Sequence, residues 1–405
     1  MDSSQPAIKP YTPDESGFWR VTIALMLASL LVFSTLYVFQ PLLPIFVNEF
    51  QVSATESSFL MSAAVIAMVV GLFLLGFAAD RYGRMRLMQI SLGVTVLLLV
   101  AMPFTSSFEW LVVLRLLQGF FLAGIPAAAM GYLGEEVDPN HLGMAMTLYI
   151  SSNALGGMGG RVAGGYLTDV FGWEKTLFIL SAFGLTAAFL FFLLLPAERY
   201  FTKGDQPLRE DFQGMLVHLK DRYMLVLFLM GLLLQIVFTA IWTYIPFYLQ
   251  SDPYQWPLKW ISFTYFAYVL GVLAPPLAGR LSNLFGLTKV MFSGLFILIA
   301  GAGFTSLQSV SWIMAGLGVL CSGFFIAHSM AAALVSKSAN HHRSGASSFY
   351  LISYYVGVAV GSTAVGTLWE TWGWLGVIST ALVFILIFIS LPVFKRNQEG
   401  KYEQN

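Results

Sequence analysis

Few side chains in this 405-residue chain can do chemistry, and several of them stand where charge is costly. Arg115 and Gln118 interrupt one long apolar run, Asn153 and Arg161 a second, and His328 a third. A charge inside an apolar run of membrane length marks a functional position by default. Counting 1.5 Å per residue from the middle of each run puts Arg115 roughly 10 Å and Arg161 roughly 8 Å toward one end. Asn153, Gly157 and Arg161 follow at i, i+4 spacing and so share one helix face. No Asp or Glu lies in the middle of any such run; Glu56, Asp169 and Glu370 stand near run ends. Two cations without an acid at their depth suit an anionic group such as a carboxylate, catecholate or phosphate. Each also has a structural reading. Arg115 can snorkel to the interface, and Arg161 can bond helix carbonyls or an outer acid such as Asp169. His328, with an ordinary pKa of about 6.5, can carry a proton or serve as a satisfied structural histidine.

The elements that hold these residues are apolar helices. Hydrophobic residues make up 57% of the chain and charged residues 10%, with a mean hydropathy of +0.75. A soluble protein carries about 25% charged residues. The apolar runs are near twenty residues long, enough to cross a hydrocarbon core of roughly 30 Å. Six spans read at 19–46, 56–79, 87–105, 110–133, 144–168 and 174–196. Six more read at 223–250, 259–282, 289–307, 312–335, 345–369 and 373–394. The polar stretch 197–222 reads as a linker, and 1–18 and 395–405 as tails. Residues 1–17 lack the basic start of a cleavable signal. The single cysteine, Cys321, excludes an intramolecular disulfide and gives no metal site. His341 and His342 read as a solvated turn. No cofactor, metal or nucleic-acid partner is expected, and no Walker-type loop supports direct use of ATP.

Orientation follows from lysine and arginine in the loops. With the N-terminus inside, the inner segments hold 17 of the 21 basic residues, so both termini are expected to be cytoplasmic. The halves also repeat. Gly119-Phe-Phe-Leu-Ala recurs as Gly323-Phe-Phe-Ile-Ala. Gly156, Gly160, Gly165, Asp169, Gly172 and Trp173 recur as Gly357, Gly361, Gly366, Glu370, Gly373 and Trp374.

Between the second and third spans lies Gly76-Phe-Ala-Ala-Asp80-Arg81-Tyr-Gly83-Arg84-Met-Arg86, with a diluted copy at Gly279-Arg-Leu-Ser-Asn283-Leu-Phe-Gly286-Leu-Thr-Lys289. This loop resembles the first signature of the major facilitator superfamily. Met85 departs from that pattern, and Arg86 supplies the final base one place later. Arg115-Leu-Leu-Gln118-Gly119 resembles the second signature, whose buried arginine is linked to proton coupling. Gly156-x3-Gly160-Arg161-x2-Gly164-Gly165 resembles the third, found in antiporters and exporters. There Arg161 replaces the family's proline, which puts the associated helix kink in doubt, and Thr147 replaces the leading glycine. The four glycines equally suit close helix packing.

The resemblance implies an all-α integral membrane protein, with twelve transmembrane helices in two pseudo-symmetric six-helix bundles, 19–196 and 223–394. It implies that Asp80 faces the start of span eleven near Ser344–Ser347, and that Arg84 reaches Glu135 or Glu136. These contacts would latch the halves while the carrier is open outward; Asn283 would make the second copy weaker. It also implies a central cavity lined by Tyr37 and Gln40 on span one, and by Gln235, Trp242 and Tyr244 on span seven. Tyr265, Tyr268, Tyr350, Tyr354 and Tyr355 extend that lining. Such faces suit bulky, partly aromatic compounds, although tyrosine and tryptophan also form interfacial belts. Trp173, Trp256, Trp260 and Trp374 read as belt.

The whole chain is similar to bacterial inner-membrane multidrug and metabolite efflux proteins, particularly the acriflavin-sensitivity branch. A monomeric, proton-coupled exporter of drugs, dyes or metabolites such as siderophores or sugars, working by alternating access, is therefore expected. The alternative is an exchanger or uptake carrier for an organic anion held by Arg115 and Arg161. A membrane enzyme would gather acids, histidines or a nucleophile at one depth, and no such cluster is visible. A sensor would need more than the short linker 197–222.

Overall fold

In the computed structural model, residues 9–201, 216–339 and 343–390 are described, apart from the side chains of 343–344 and 385–390. Linker residues Lys203 and Arg209, His341, His342, the Ser344 side chain and the basic tail from Lys395 lie outside these. The described chain is almost wholly helical. Lipid offers the backbone no hydrogen bonds, so each spanning segment must satisfy its own N–H and C=O groups.

Six helices come from the first half. They are α1 (Ser16–Tyr37), α2 (Phe59–Tyr82), α3 (Arg84–Ala101), α4 (Phe108–Glu136), α5 (Leu142–Phe171) and α6 (Trp173–Leu194). Six follow in the second: α7 (Arg222–Gln250), α8 (Leu258–Phe285), α9 (Leu287–Phe304), α10 (Val310–Ser338), α11 (Arg343–Thr363) and α12 (Gly366–Ser390). Among the described residues, nine segments are by themselves long and apolar enough to cross a membrane. The 30-residue α5, diluted by Asn153, Arg161 and its glycines, and the bent pair α11 and α12 complete the twelve. The protein is an all-α integral membrane protein of two six-helix halves.

Four glycines with positive φ mark the shared plan. Gly83 (φ 101°) turns α2 into α3, and Gly286 (φ 86°) turns α8 into α9. Gly172 (φ 85°) turns α5 into α6, and Gly373 (φ 58°) bends α12 at the matching place. Side chains rarely tolerate that backbone region.

Two spans are broken within the lengths read from the sequence. The first span does not run straight to residue 46. Regular helix ends at Tyr37, a 3₁₀ turn covers Gln40–Leu42, and a second helix runs Leu43–Phe50. Pro41 and Pro44 lack the N–H groups a continuous helix needs. The eleventh span breaks after Thr363, where the segments 345–363 and 366–384 meet at 77°, and the non-helical Gly373 stands where the sequence reading places the turn into the twelfth span.

Contacts divide the chain into two compact units. One holds the described residues up to Phe39 and from Ala63 to 201; the other holds Gln40–Ser62 and those from 216 onward. The hairpin between the first two spans thus packs with the second unit. In the first unit α5 seats against α1 through Gly156 and Gly160, where a methyl group would fall within 3.0 Å of the Leu30 and Ser34 carbonyl oxygens. In the second unit α9 and α10 run antiparallel along a glycine seam. Gly294 faces Gly323, and Gly301 faces Gly316, so backbone meets backbone twice, seven residues apart.

Candidate functional sites in the two units

The signature loop forms a charged cluster at one end of the first unit. Arg84 forms an ion pair with Glu135 through Nη1, and its Nη2 donates to Asp80 Oδ1 at 2.9 Å. Asp80 is exposed, and Arg81 lies half-buried in the last turn of α2. Gly76 has open space around it, whereas Gly83 supplies the reversal. Glu136, 1% exposed, takes a different partner from its neighbour. It accepts from Arg199 Nε at 2.8 Å and from the Arg199 backbone N–H at 2.6 Å. The Arg199 guanidinium lies 3.4 Å from the centre of the Tyr11 ring. Glu198 accepts from the Met85 N–H at the start of α3, where the helix dipole favours an anion. In the turn after α4, the Asn140 N–H, at 2.9 Å, holds the Asp138 carboxyl below the ordinary aspartate range.

Glu198, Arg199 and Tyr11 were not singled out from the sequence. The signal for the first two was an acid–base pair shortly after Pro196, which reads equally well as ordinary linker charge.

A second cluster gathers around the last turn of α1. An α-helix leaves its final carbonyls unpaired and carries partial negative charge there. Arg115, fully buried, takes two of those carbonyls: Nη1 donates to Thr35 O at 3.2 Å and Nη2 to Leu36 O at 2.9 Å. Its Nη1 also donates to Gln118 Oε1 at 2.7 Å, and the Phe39 ring centre lies 4.4 Å away. Gln118 in turn donates to Thr95 O at 3.2 Å, which ties α3 to the cluster. Arg161, 4% exposed, lies on the Tyr37 ring at 3.8 Å and donates to Gly157 O at 2.8 Å. Lower on the same α5 face, Asn153 accepts a hydrogen bond from Ser29.

Both arginines therefore converge on the end of α1 and the residues just after it, by different means. Arg115 is held by three oxygens. Arg161 lies over an aromatic ring and bonds a carbonyl of its own helix. Gly164 and Gly165 lie buried further along α5.

In the second unit the aromatic candidates form a continuous ladder. Tyr265 packs on Trp242 and Trp242 on Tyr268, each with ring centres 4.9 Å apart. Tyr268 meets Phe238 at 5.5 Å, and Phe238 stacks on Phe324 at 3.8 Å. Phe324 lies parallel to His328 at 5.6 Å, and Tyr354 sits 4.9 Å from His328. Tyr350 Oη and His328 Nδ1 share a hydrogen bond of 2.9 Å. Phe238, Phe324 and Tyr350 are the members that link α7, α10 and α11.

Gln235 donates to Thr239 Oγ1 at 3.0 Å. Gln235 Oε1 and Trp242 Nε1, two turns apart on α7, are buried without a hydrogen-bond partner among the described residues. Gln40 and Tyr244 stand apart from the ladder. Gln40 donates to Thr243 Oγ1 at 3.0 Å, and Tyr244 to Ser362 O at 2.7 Å.

Comparison with known proteins agrees with this architecture. The sequence profile described as Major Facilitator Superfamily matches residues 25–273 and 258–405. An uncharacterised MFS-type transporter, YybF of Bacillus subtilis (strain 168), is 34% identical over 95% of this chain and 97% of its own. The inner membrane transport protein YnfM of Escherichia coli (strain K12) is 33% identical over 97% of this chain and 94% of its own. Among solved structures, the nucleoside transporter NupG superposes with a TM-score of 0.74 at 15% identity, covering 95% of this chain and all of that one, a likeness of fold. With two six-helix halves, a signature loop paired to the end of α4 and a profile match over most of its length, the chain belongs to the Major Facilitator Superfamily.

Proposed function

We propose that the protein is a proton-coupled exporter of small, partly aromatic organic compounds. It would be a monomer in a bacterial inner membrane, with both termini cytoplasmic. The relatives' names support secondary transport and, for YnfM, an inner-membrane location. The basic residues of the loops support the orientation.

One observation carries the substrate side of this reading: the two buried arginines are engaged differently. Three oxygens hold Arg115 in the fork geometry that a guanidinium favours, which makes it part of the scaffold around α1. Arg161 rests on the face of half-buried Tyr37, beside the close-packed glycines of α5. A guanidinium on an aromatic face can still bond an anionic or acceptor group at its edge. The ladder supports an aromatic cargo, because Gln235 Oε1 and Trp242 Nε1 are buried polar atoms for which a ligand could supply partners. The bond between His328 and Tyr350 supplies a candidate proton carrier in the same unit.

The second reading, carriage of an organic anion without proton coupling, rests on Arg161, which lies over Tyr37 and bonds Gly157 O. Purified protein in proteoliposomes with imposed pH gradients separates the two. Efflux of dyes, drugs or siderophores should rise with an inward proton gradient, and flux unaffected by the gradient would sink proton antiport. Arg161→Gln should abolish transport of anionic compounds and spare neutral ones. Equal loss of both would count against a cationic substrate contact.

A further inference from the structure

The hairpin between α1 and α2 belongs to the second unit, and three polar links hold it there. Gln40 bonds Thr243 on α7. Ser58 donates to Thr363 Oγ1 at 2.9 Å, and Thr363 donates to Ser62 Oγ at 2.8 Å, a hydroxyl chain at the end of α11. The third link is a hydrogen bond to a carboxylate. The short turn Ala54–Ser57 begins with a capping box, in which Ser53 and Glu56 satisfy each other's backbone N–H groups. That box leaves the Thr55 N–H to another acceptor, and Glu370 on α12 takes it at 2.9 Å. Gly366 makes the approach possible, since a methyl there would fall within 3.0 Å of both Thr55 and the Tyr244 hydroxyl.

We infer that Glu370 is a positioning residue of the transport cycle. Its carboxylate holds hairpin 40–62 against α7, α11 and α12, and it must release Thr55 before this end of the carrier opens. A carboxylate bonds more strongly than a neutral acceptor in the same surroundings, and Glu370 brings charge to this set of links. Glu370 is exposed, so water replaces the bond as it breaks. Thr363 and Glu370 flank the break after Thr363 and both precede the non-helical Gly373, so the two grips sit close together on one short stretch.

The inference rests on transport by alternating access and on the orientation proposed above, which puts this hairpin on the outer face. Its test therefore needs no substrate. Cys321, the sole and buried cysteine, is replaced by serine, and Thr239→Cys on α7 serves as reporter; Thr239 is 4% exposed. A membrane-impermeant maleimide is added to right-side-out and to inside-out vesicles. Glu370→Ala should raise outside labelling several-fold and lower inside labelling. Glu370→Gln keeps an acceptor oxygen but loses the charge, and it should fall between Ala and wild type. Unchanged outside labelling would overturn the assignment, and so would a rise from both sides, which signals general loosening. Should the alanine variant fail to reach the membrane, the glutamine variant decides in the same terms. Loss of transport with intact labelling differences would fault the transport reading and leave the clasp standing.

Discussion

In the first unit, methyl groups on Gly156 and Gly160 would strike the carbonyls of Leu30 and Ser34; in the second, methyl groups on Gly357 and Gly361 would strike those of Leu232 and Ile236. The glycines are 201 residues apart and their targets 202. A duplicated chain has kept the same joint twice, α5 on α1 and α11 on α7, because close backbone approach admits only the smallest residue. One position beyond the second glycine the joints part company. The first carries Arg161 over Tyr37, whereas the matching places in the second hold Ser362 and Thr239. Ser362 bonds back to its own helix at Ala359 O, and Thr239 meets Gln235. The frame was conserved between the halves and the charge was not. Function is therefore to be sought in what the frame carries, since the frame itself is common to both.

The sharpest way to break this comparison is to crowd both joints. Gly160→Leu and Gly361→Leu should each cost about 1–3 kcal/mol or more by overpacking. Both should lower the unfolding temperature of the detergent-solubilised protein to a similar extent. If Gly361→Leu is tolerated while Gly160→Leu is not, the two joints are not equivalent. Arg115→Leu comes next. It strands the Thr35 and Leu36 carbonyls at the end of α1, at about 1–3 kcal/mol for a buried group left unpaired. Arg115→Lys should recover part of the loss, since an ammonium cannot reproduce the fork. A thermal shift that does not separate Leu from Lys would show that Arg115 does not hold α1.

The spans, the repeat and the signature loop were legible because each rests on local pattern: apolar length, recurring glycines and charge in a short gap. What escaped was long-range. Arg115 was visible as a costly charge, yet nothing in its own stretch names the carbonyls of Thr35 and Leu36, some eighty positions earlier. Glu198 and Glu370 look like charges near helix ends, and their acceptor roles toward Met85 and Thr55 appear only with the fold. The break after Thr363 escaped for a similar reason, since residues 345–369 are apolar enough to read as one unbroken span.

The mildest perturbation in stability is the most informative for function: converting the first joint into a copy of the second. Tyr37→Thr with Arg161→Ser removes a guanidinium–aromatic contact at 3.8 Å and leaves both glycine seats untouched. Such contacts are worth about 0.5–2 kcal/mol depending on desolvation. Removing the arginine also removes its burial cost, so the double variant should unfold close to wild type. The single change Tyr37→Thr should be the worse of the two, because it leaves Arg161 buried without its ring. A cycle of the two singles and the double, read by thermal unfolding, should therefore show coupling. Additive losses would mean that ring and guanidinium merely sit side by side. If the double variant folds normally and still carries its substrates at the wild-type rate, the difference between the joints has no functional content, and the search moves to the ladder from Trp242 to His328.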